Sequence, residues 1–531
     1  MALTQAIQRL YCLSLSGSRR RFERAARQCE TAQMQKLRQV VRDNADAAYG
    51  RAHRFASITS VREWQDRVPL VDYQDLRPWV LRAADGEPCV LTAAKVVVFE
   101  RTSGSTAAEK LVPYTRGLLA EFGAATAPWL HDLYTTLPQL KGTRSYWSIS
   151  PVTRAGEVTP GGIPIGFADD TEYFGRVARL ALRRTLAVPP EVARLQDVGA
   201  WSQATIRHLV AAADLGLVSV WHPSFFVSLM RAIERQLPEV LPELPSARRE
   251  EIERRVRSSS IAERLWPKLA LVSCWGDGPA ADALSSLRAQ VPHARIQPKG
   301  LLATEGVVSF PLFCNGGSDN VAAVASHFFE FVDVDRQRQH PLLAHQLRPG
   351  ASYVPVISTS GGFYRYRLGD VVRCTGFHLQ APLLRFEGRI DQVSDLRGEK
   401  LNAHMVTAKL QEAQQAHGVA LTFAMVVPVR SEPPHYTLFA EGATIDALAA
   451  LARSLEHAFH ENPGYRYARM LGQLGPVEAA VVRDGAVQYL QARIAAGQRA
   501  GDVKPVHLDA RGDALSAFLA AYPEADEVVR G

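Results

Sequence analysis

Several short, widely separated segments of this chain hold the residue types that could grip a nucleoside triphosphate. In Thr102-Ser103-Gly104-Ser105-Thr106-Ala107-Ala108-Glu109-Lys110, hydroxyls and a glycine lead to an ammonium. The N–H groups and hydroxyls of Ser103, Gly104, Ser105 and Thr106 could wrap phosphate oxygens while Lys110 balances their charge. The Gly-Lys-Ser/Thr ending of kinase and GTPase phosphate loops is absent, and a polar strand-to-helix turn is the competing reading. Ala303-Thr304-Glu305-Gly306 would present a hydroxyl and a carboxylate at a strand end. Glu305 suits Mg²⁺, which takes one or two carboxylates beside substrate phosphates and keeps several waters; an ordinary turn glutamate is the alternative. Asp370, at the end of Tyr366-Arg367-Leu368-Gly369-Asp370, could accept both ribose hydroxyls or pair with a neighbouring arginine.

Three more positions extend the set. Trp275-Gly276-Asp277-Gly278-Pro279 ends an apolar run with a turn that Gly276 and Gly278 open enough for a purine to lie on the backbone; a plain β-turn is equally compatible. In Gly388-Arg389-Ile390-Asp391, Arg389 could reach ribose or phosphate while Asp391 absorbs a hinge rotation. Lys504 is the last of nine lysines. Swung over the site it would stabilise charge on the α-phosphate during attack by a carboxylate; otherwise it is a surface lysine before a proline. In chain order these segments describe an enzyme that makes acyl-adenylates from ATP with Mg²⁺, with Lys504, Glu305 and Thr304 as its catalytic groups.

The elements that must position them follow from periodicity. Residues 1–55 read as helical, with Ile7, Leu10, Leu13, Met34, Leu37, Val40 and Val41 at helical spacing. Val68 to Ala93 reads as an extended lead-in to a strand at Val96-Val97-Val98-Phe99. Helices over 172–186, 202–214, 223–237, 246–265 and 280–290 then alternate with short apolar runs, the pattern of an α/β sheet covered by helices. Past residue 388 the pattern restarts as a smaller α+β unit, with helices at 403–416 and 444–460 and strands near 420–428, 435–440 and 476–483. A chain of 531 residues exceeds one compact core, and domains of 1–388 and 389–531 are predicted.

Composition excludes other classes. The net charge is +7, yet the basic residues are scattered apart from Arg19, Arg20, Arg21, Arg24 and Arg27, which read as the solvated side of a helix and not as a nucleic-acid face. The six cysteines form no CxxC pair, so they read as free thiols of a reducing compartment. No stretch reaches membrane-spanning length, and cytoplasmic residence is the expectation.

Taken together, the segments resemble the superfamily of acyl-CoA synthetases, peptide-synthetase adenylation domains and luciferases, whose loop reads T-S-G-S-T-G-x-P-K and is followed by T-E, Y-R-x-G-D and G-R-x-D. Within it the chain is most similar to the Gretchen Hagen family of acyl-acid amido synthetases, in its bacterial type. That likeness is carried by Val68-Pro69-Leu70 and Tyr73, Lys299 to Gly306, Phe329-Glu330-Phe331, Gly362 to Asp370 and Gly398-Glu399-Lys400-Leu401. It implies a large multi-sheet adenylate-forming N-terminal domain that binds ATP and the acid, and a mobile α+β C-terminal domain. The implied reaction joins a carboxylic acid to AMP and passes the acyl group to an amino acid amine. By that likeness Ser103, Ser105, Thr106 and Lys110 match the phosphate loop, Glu305 the metal ligand, Asp370 the ribose ligand and Lys504 the small-domain lysine. Ala107 and Ala108 depart from the loop's usual glycine, and the residues after Lys504 depart in spacing.

Two rivals stand beside the amido synthetase: an acyl-CoA ligase using the same adenylate, and a catalytically silent nucleotide-binding protein. Trp221 to Phe226 and Phe122 to Trp129 are candidate acyl-pocket walls, with core packing as the alternative. His222 and His327 could be read as bases, but a lone histidine near aromatics is more often structural, and the first half-reaction needs no base. The partners expected are a carboxylic acid and an amino acid, with no nucleic acid or membrane, and a monomer is favoured.

Overall fold

The computed structural model describes the chain except residues 1, 103–109, 149–156, 167–184, 196, 259, 314–318, 337–338, 391, 496–497, 499–502, 505, 511 and 521–531. The predicted phosphate loop 103–109, most of the predicted helix 172–186, and Asp391 therefore lie outside the described residues.

Helices Ala2–Arg27 and Cys29–Asp43 open the chain as its periodicity predicts, and the first packs along helix Arg116–Thr136. Part of the basic cluster faces inward. Arg19 bridges Glu23 at 2.7 Å and lies 3.7 Å from Asp132. The lead-in after Val68 is not extended throughout, because Tyr73–Ala84 is a helix. Asp72 accepts N–H groups of Gln74 and Asp75, while Asp75 accepts from the N–H of Asp72, a reciprocal cap that outweighs the flanking prolines.

Strands β1 (Val96–Thr102) and β2 (Lys110–Thr115) form an antiparallel pair in which Thr102 faces Lys110. The loop thus joins strand to strand, and the strand-to-helix alternative falls. Four parallel strands follow in spatial order: β3 (Arg144–Trp147), β4 (Leu215–Ser219), β5 (Leu271–Cys274) and β6 (Arg295–Pro298). Helices Val198–Ala211, Pro223–Val240 and Leu284–Gln290 close their own core against this sheet. The helix predicted over 246–265 is two pieces, Ser246–Arg254 and Ile261–Leu265. The break arises because Ser260 adopts extended backbone and caps the second piece by accepting the Glu263 N–H.

β7 (Leu302–Ala303) and β8 (Gly306–Val307) make a hairpin whose two-residue turn is Thr304-Glu305. An eight-stranded, mainly antiparallel sheet then spans β9 (Ser309–Pro311) to β16 (Ala381–Arg389); its long members include β11 (Phe328–Asp333), β13 (Ser352–Ser358) and β15 (Asp370–His378). Helix–strand alternation does not predict this antiparallel sheet. Its strands β11 and β13 are buried on both faces, so their apolar runs lack the period-two signature of half-buried strands.

The last unit is a three-stranded sheet of Phe423–Val429, His435–Glu441 and Glu478–Val481. Helices Ala403–His417 and Ile445–Phe459 pack on one face, and Gly485–Ala495 with Leu515–Ala520 on the other.

Candidate functional site

The tips of the parallel strands, the Thr304-Glu305 turn, the start of β15 and the C-terminal unit converge on a cavity of about 390 Å³. Lys110, Trp275, Gly276, Thr304, Glu305, Asp370, Arg389 and Lys504 all line it. Of the residues proposed from sequence, Ser103, Gly104, Ser105 and Thr106 lie outside the described residues. Gly278 does not line the wall; it stands behind it, where an added Cβ would meet the Phe386 ring at 3.2 Å.

Each side chain has an identifiable support. Lys110 opens β2 with its ammonium 5.7 Å from the centroid of the Tyr73 ring, and the Tyr73 hydroxyl accepts the Leu111 N–H at 2.7 Å. The turn carrying Glu305 is clamped from both sides. Tyr114 donates to the Thr304 carbonyl at 2.5 Å, and Tyr366 donates to Glu305 Oε1 at 3.2 Å. Behind the hairpin, buried His327 accepts the Val307 N–H at Nε2, so its other nitrogen carries the proton toward Glu121 at 3.0 Å. A side chain at Gly306 would strike His327 at 2.8 Å, which is why glycine follows Glu305. Burial pushes the Glu121 carboxyl up, but His327 and Lys36 overcome it and hold it below the ordinary value. His327 is thus part of a buried prop and not a base.

Asp370 and Arg389 are register partners across β15 and β16, and Arg389 Nη1 stands 3.4 Å from Asp370 Oδ1. The ion pair and the cavity-facing position are both present, so the two sequence readings of Asp370 are compatible. Just before Arg389, Gly388 has φ +151° and would bring a Cβ to 3.1 Å from the His404 backbone. Only glycine permits the helix Ala403–His417 to start this close.

At the Trp275-Gly276 turn, the Trp275 N–H donates to the Trp221 carbonyl, and the two rings lie 5.5 Å apart. Asp277 beside them is raised to about 6 by burial, although it accepts the Phe386 N–H. Burial likewise lowers His222 to about 3; neutral, it caps helix Pro223–Val240 by accepting the Ser224 N–H.

Lys504 reaches this wall from the C-terminal unit, its ammonium 4.5 Å from the Trp275 centroid. His507 fastens its segment: the backbone carbonyl accepts from Val426, and the ring lies 2.9 Å from Asp282 and 3.3 Å from Thr407.

A second cavity of about 240 Å³ shares Trp275, Lys299, Thr304 and Lys504 with the first. Its walls are aromatic: Tyr114, Phe122, Trp129, Trp147 and Trp221, with Glu100 and Arg101 among the polar lining. The predicted acyl walls divide here. Phe122, Trp129 and Trp221 face the cavity, whereas Phe225 and Phe226 pack into the helical core against Trp201 and Trp266. Sequence reading missed Trp147, Glu100 and Arg101, which sit at strand ends where the facing side is not encoded locally.

The motif residues Glu330 and Arg365 lie elsewhere. They form a buried bidentate pair at 3.0 and 3.1 Å, with Trp64 and Gln65 also donating to Glu330. They fasten the N-terminal segment to the antiparallel sheet and touch neither cavity.

The fold is a large multi-sheet body whose cavity is bounded on one side by a small α+β unit. It is shared with 2-hydroxyisobutyryl-CoA ligase in its postadenylation state, at 14% identity, TM-score 0.52 and coverage of 95% of this chain and 94% of that one. Models described as the GH3 family N-terminal, central and C-terminal domains match residues 18–248, 321–389 and 403–511, and the chain belongs to the GH3 (Gretchen Hagen) family. Among its relatives is the probable indole-3-acetic acid-amido synthetase GH3.12 of Oryza sativa subsp. japonica, 25% identical over 91% of this chain and 92% of that protein. A GH3 domain-containing protein of Homo sapiens is 29% identical over 44% and 47%. The structure of AtGH3.15 acyl acid amido synthetase in complex with 2,4-DB superposes with a TM-score of 0.81 at 21% identity, covering 98% and 96%.

Proposed function

We propose that this chain is an ATP-dependent acyl-acid amido synthetase: a ligase that joins a carboxylic acid to AMP, releasing pyrophosphate, and passes the acyl group to the amine of an amino acid. One observation carries the reading. Lys110, Trp275, Thr304, Glu305, Asp370, Arg389 and Lys504, drawn from distant segments, line a single cavity that shares a wall with an aromatic one. The family relatives named as amido synthetases support the same assignment.

In this reading Lys110 and the 103–109 loop hold the triphosphate tail, Asp370 with Arg389 holds the ribose, and the turn at Trp275-Gly276 flanks the purine. The ionised acid needs no base. Its carboxylate attacks the α-phosphorus in line, pyrophosphate leaves, and Lys504 with Thr304 stabilises the charge that gathers on the phosphoryl oxygens. The amine then attacks the acyl carbon and AMP leaves. Among the described residues no cluster of three or more metal-ligating side chains exists, so a metal here would rest mainly on substrate oxygens and Glu305, which fits Mg²⁺. The ion would neutralise triphosphate charge.

We place the working unit in the cytoplasm as a monomer of two domains, 1–388 and 389–531. The described cysteines are free thiols, and one chain supplies both cavities; Asp391, the proposed hinge, lies outside the described residues. Among the described residues no helix is long and apolar enough to cross a membrane. Identities of 23–25% to plant synthetases leave room for the bacterial branch. The test is pyrophosphate release across a panel of carboxylic acids crossed with the twenty amino acids, with CoA as the rival acceptor. Acid-dependent release with an acid–amino acid conjugate is expected; a thioester alone would make it an acyl-CoA ligase, and silence toward every acid would leave a nucleotide-binding protein.

A further inference from the structure

Two residues of the C-terminal unit land on one short stretch of the large unit. Lys504 lies against Trp275, and the buried ring of His507 sets Nε2 2.9 Å from Asp282 Oδ2. Between Trp275 and Asp282 runs the turn Gly278–Ala281, so both contacts brace the same loop. On its own side His507 is fixed twice. Its carbonyl accepts the Val426 N–H at 2.7 Å while the Asp509 N–H donates to the Val426 carbonyl at 3.0 Å, which adds the segment in parallel beside strand Phe423–Val429. Its Nδ1 lies 3.3 Å from the hydroxyl of Thr407 on helix Ala403–His417.

The surroundings decide what the pair can do. The His507 side chain is wholly buried and that of Asp282 is 11% exposed, so a lost partner would leave a polar group stranded away from water. Arg231 and Asp484 cross the same boundary at 2.5 Å, but their side chains are 46% and 60% exposed, and an ion pair so open to water contributes little. We infer that His507 and Asp282 form a positioning pair that fixes where the Lys504 ammonium stands over the nucleotide cavity. The inference rests on the amido-synthetase reading, in which Lys504 stabilises charge on the α-phosphate, and names what holds that lysine in place. His507 borders the cavity, yet both its ring nitrogens are engaged, so it acts through Lys504 and not on a ligand. Lys504 sits on a flexible four-carbon stem and belongs to a different unit from most of the wall. Charge stabilisation requires the donor to be placed before the reaction, and a misplacement of about 1 Å can slow it ~100-fold.

The test uses variants of the full chain, each checked for folding by circular dichroism and assayed by acid-dependent pyrophosphate exchange. Asp282→Ala and His507→Leu should each lower kcat ~10- to 100-fold, with the KM for ATP and for the acid within ~2-fold of wild type. His507→Gln, which can still present an N–H to Asp282, should recover most of the rate. The double variant should lose no more than the worse single one, and Asp282→Ala made on Lys504→Ala should move the residual rate by less than ~2-fold, because nothing is left to position. Arg231→Ala should stay within ~2-fold of wild type. Hydrogen exchange adds a measurement independent of activity: in Asp282→Ala the amides of 276–282 and of 506–510 should both exchange several-fold faster. Should His507→Leu not fold, Asp282→Ala carries the test. Full kcat in Asp282→Ala, a raised KM in place of a lowered kcat, losses that multiply in the double variant, an undiminished effect on Lys504→Ala, or unchanged exchange in both segments would overturn the pairing. Wild type silent toward every acid would overturn the amido-synthetase reading itself, and this inference with it.

Discussion

The two cavities meet at one wall yet are assembled by opposite means. The larger is lined by charged and polar groups, each presented by a short turn or strand end: Glu305 on a two-residue hairpin turn, Asp370 at the first position of β15, Lys110 at the first of β2. The smaller is walled by aromatic rings from helix Arg116–Thr136, the end of β3 and the turn after β4, none of which is marked locally as a binding residue. In the proposed reading the contrast separates reaction from selection: the first wall serves adenylation and the second would choose the acid.

Removing Lys504 should test that division most severely. Lys504→Ala is expected to slow acid-dependent pyrophosphate exchange by ~100- to 1,000-fold, with acid affinity by tryptophan fluorescence nearly unchanged. Equal losses in both would dissolve the boundary between the cavities. Glu330→Gln, outside both, provides the control. Leaving Arg365 buried with no carboxylate should cost about 3 kcal/mol of stability, read as a lower denaturant midpoint, while both KM values hold; a selective change in either would bring this pair into the site.

Trp147→Ala should raise the KM for the acid ~10-fold and admit bulkier acids, leaving ATP untouched. A matching rise in the KM for ATP would show that the aromatic wall also shapes the nucleotide side.

The smallest effect concerns Glu387, next to the cavity-lining Gly388. Burial alone would raise Glu387, but hydrogen bonds from His404, Ser352 and Arg373 overcome it and bring it down to about 2. A carboxylate depressed in the folded state stabilises fully above its unfolded value near 4.5 and loses that contribution as pH falls toward 2. On the order of 1 kcal/mol should be gone by pH 3.5. Thermal melts of wild type and Glu387→Gln should therefore differ most near neutral pH and converge in acid; a constant gap would mean that Glu387 is not held low.

Much of the nucleotide side was legible because its residues carry functional groups that few positions can use. Glu305, Asp370 and Arg389 stood out as charges set beside glycines, and Lys504 as a late lone lysine; the structure sets all four around one cavity. The aromatic side was half legible. Phe122, Trp129 and Trp221 turn toward the cavity, but Phe226, five residues past Trp221, turns into the core. Nothing local separates an indole facing a ligand from a phenyl ring facing a helix, since both satisfy the same burial term. Helix Tyr73–Ala84 was missed for a different reason: its start depends on the Asp72–Asp75 cap, a side-chain bond weaker as a signal than the prolines around it.

The amino-acid sequence by itself determined the inventory: which ionisable groups exist, the glycines that let chain approach chain, and the helical and apolar periods that make an α/β body followed by a smaller α+β unit. Tertiary structure alone decided the convergence. It set Lys504 on Trp275, seated Lys299 among three indoles, and drew Glu330 and Arg365 away from the site into a prop. Patterns along a chain report how each segment meets water, whereas the facing of a buried side chain is fixed by whichever segments, hundreds of residues away, pack against it.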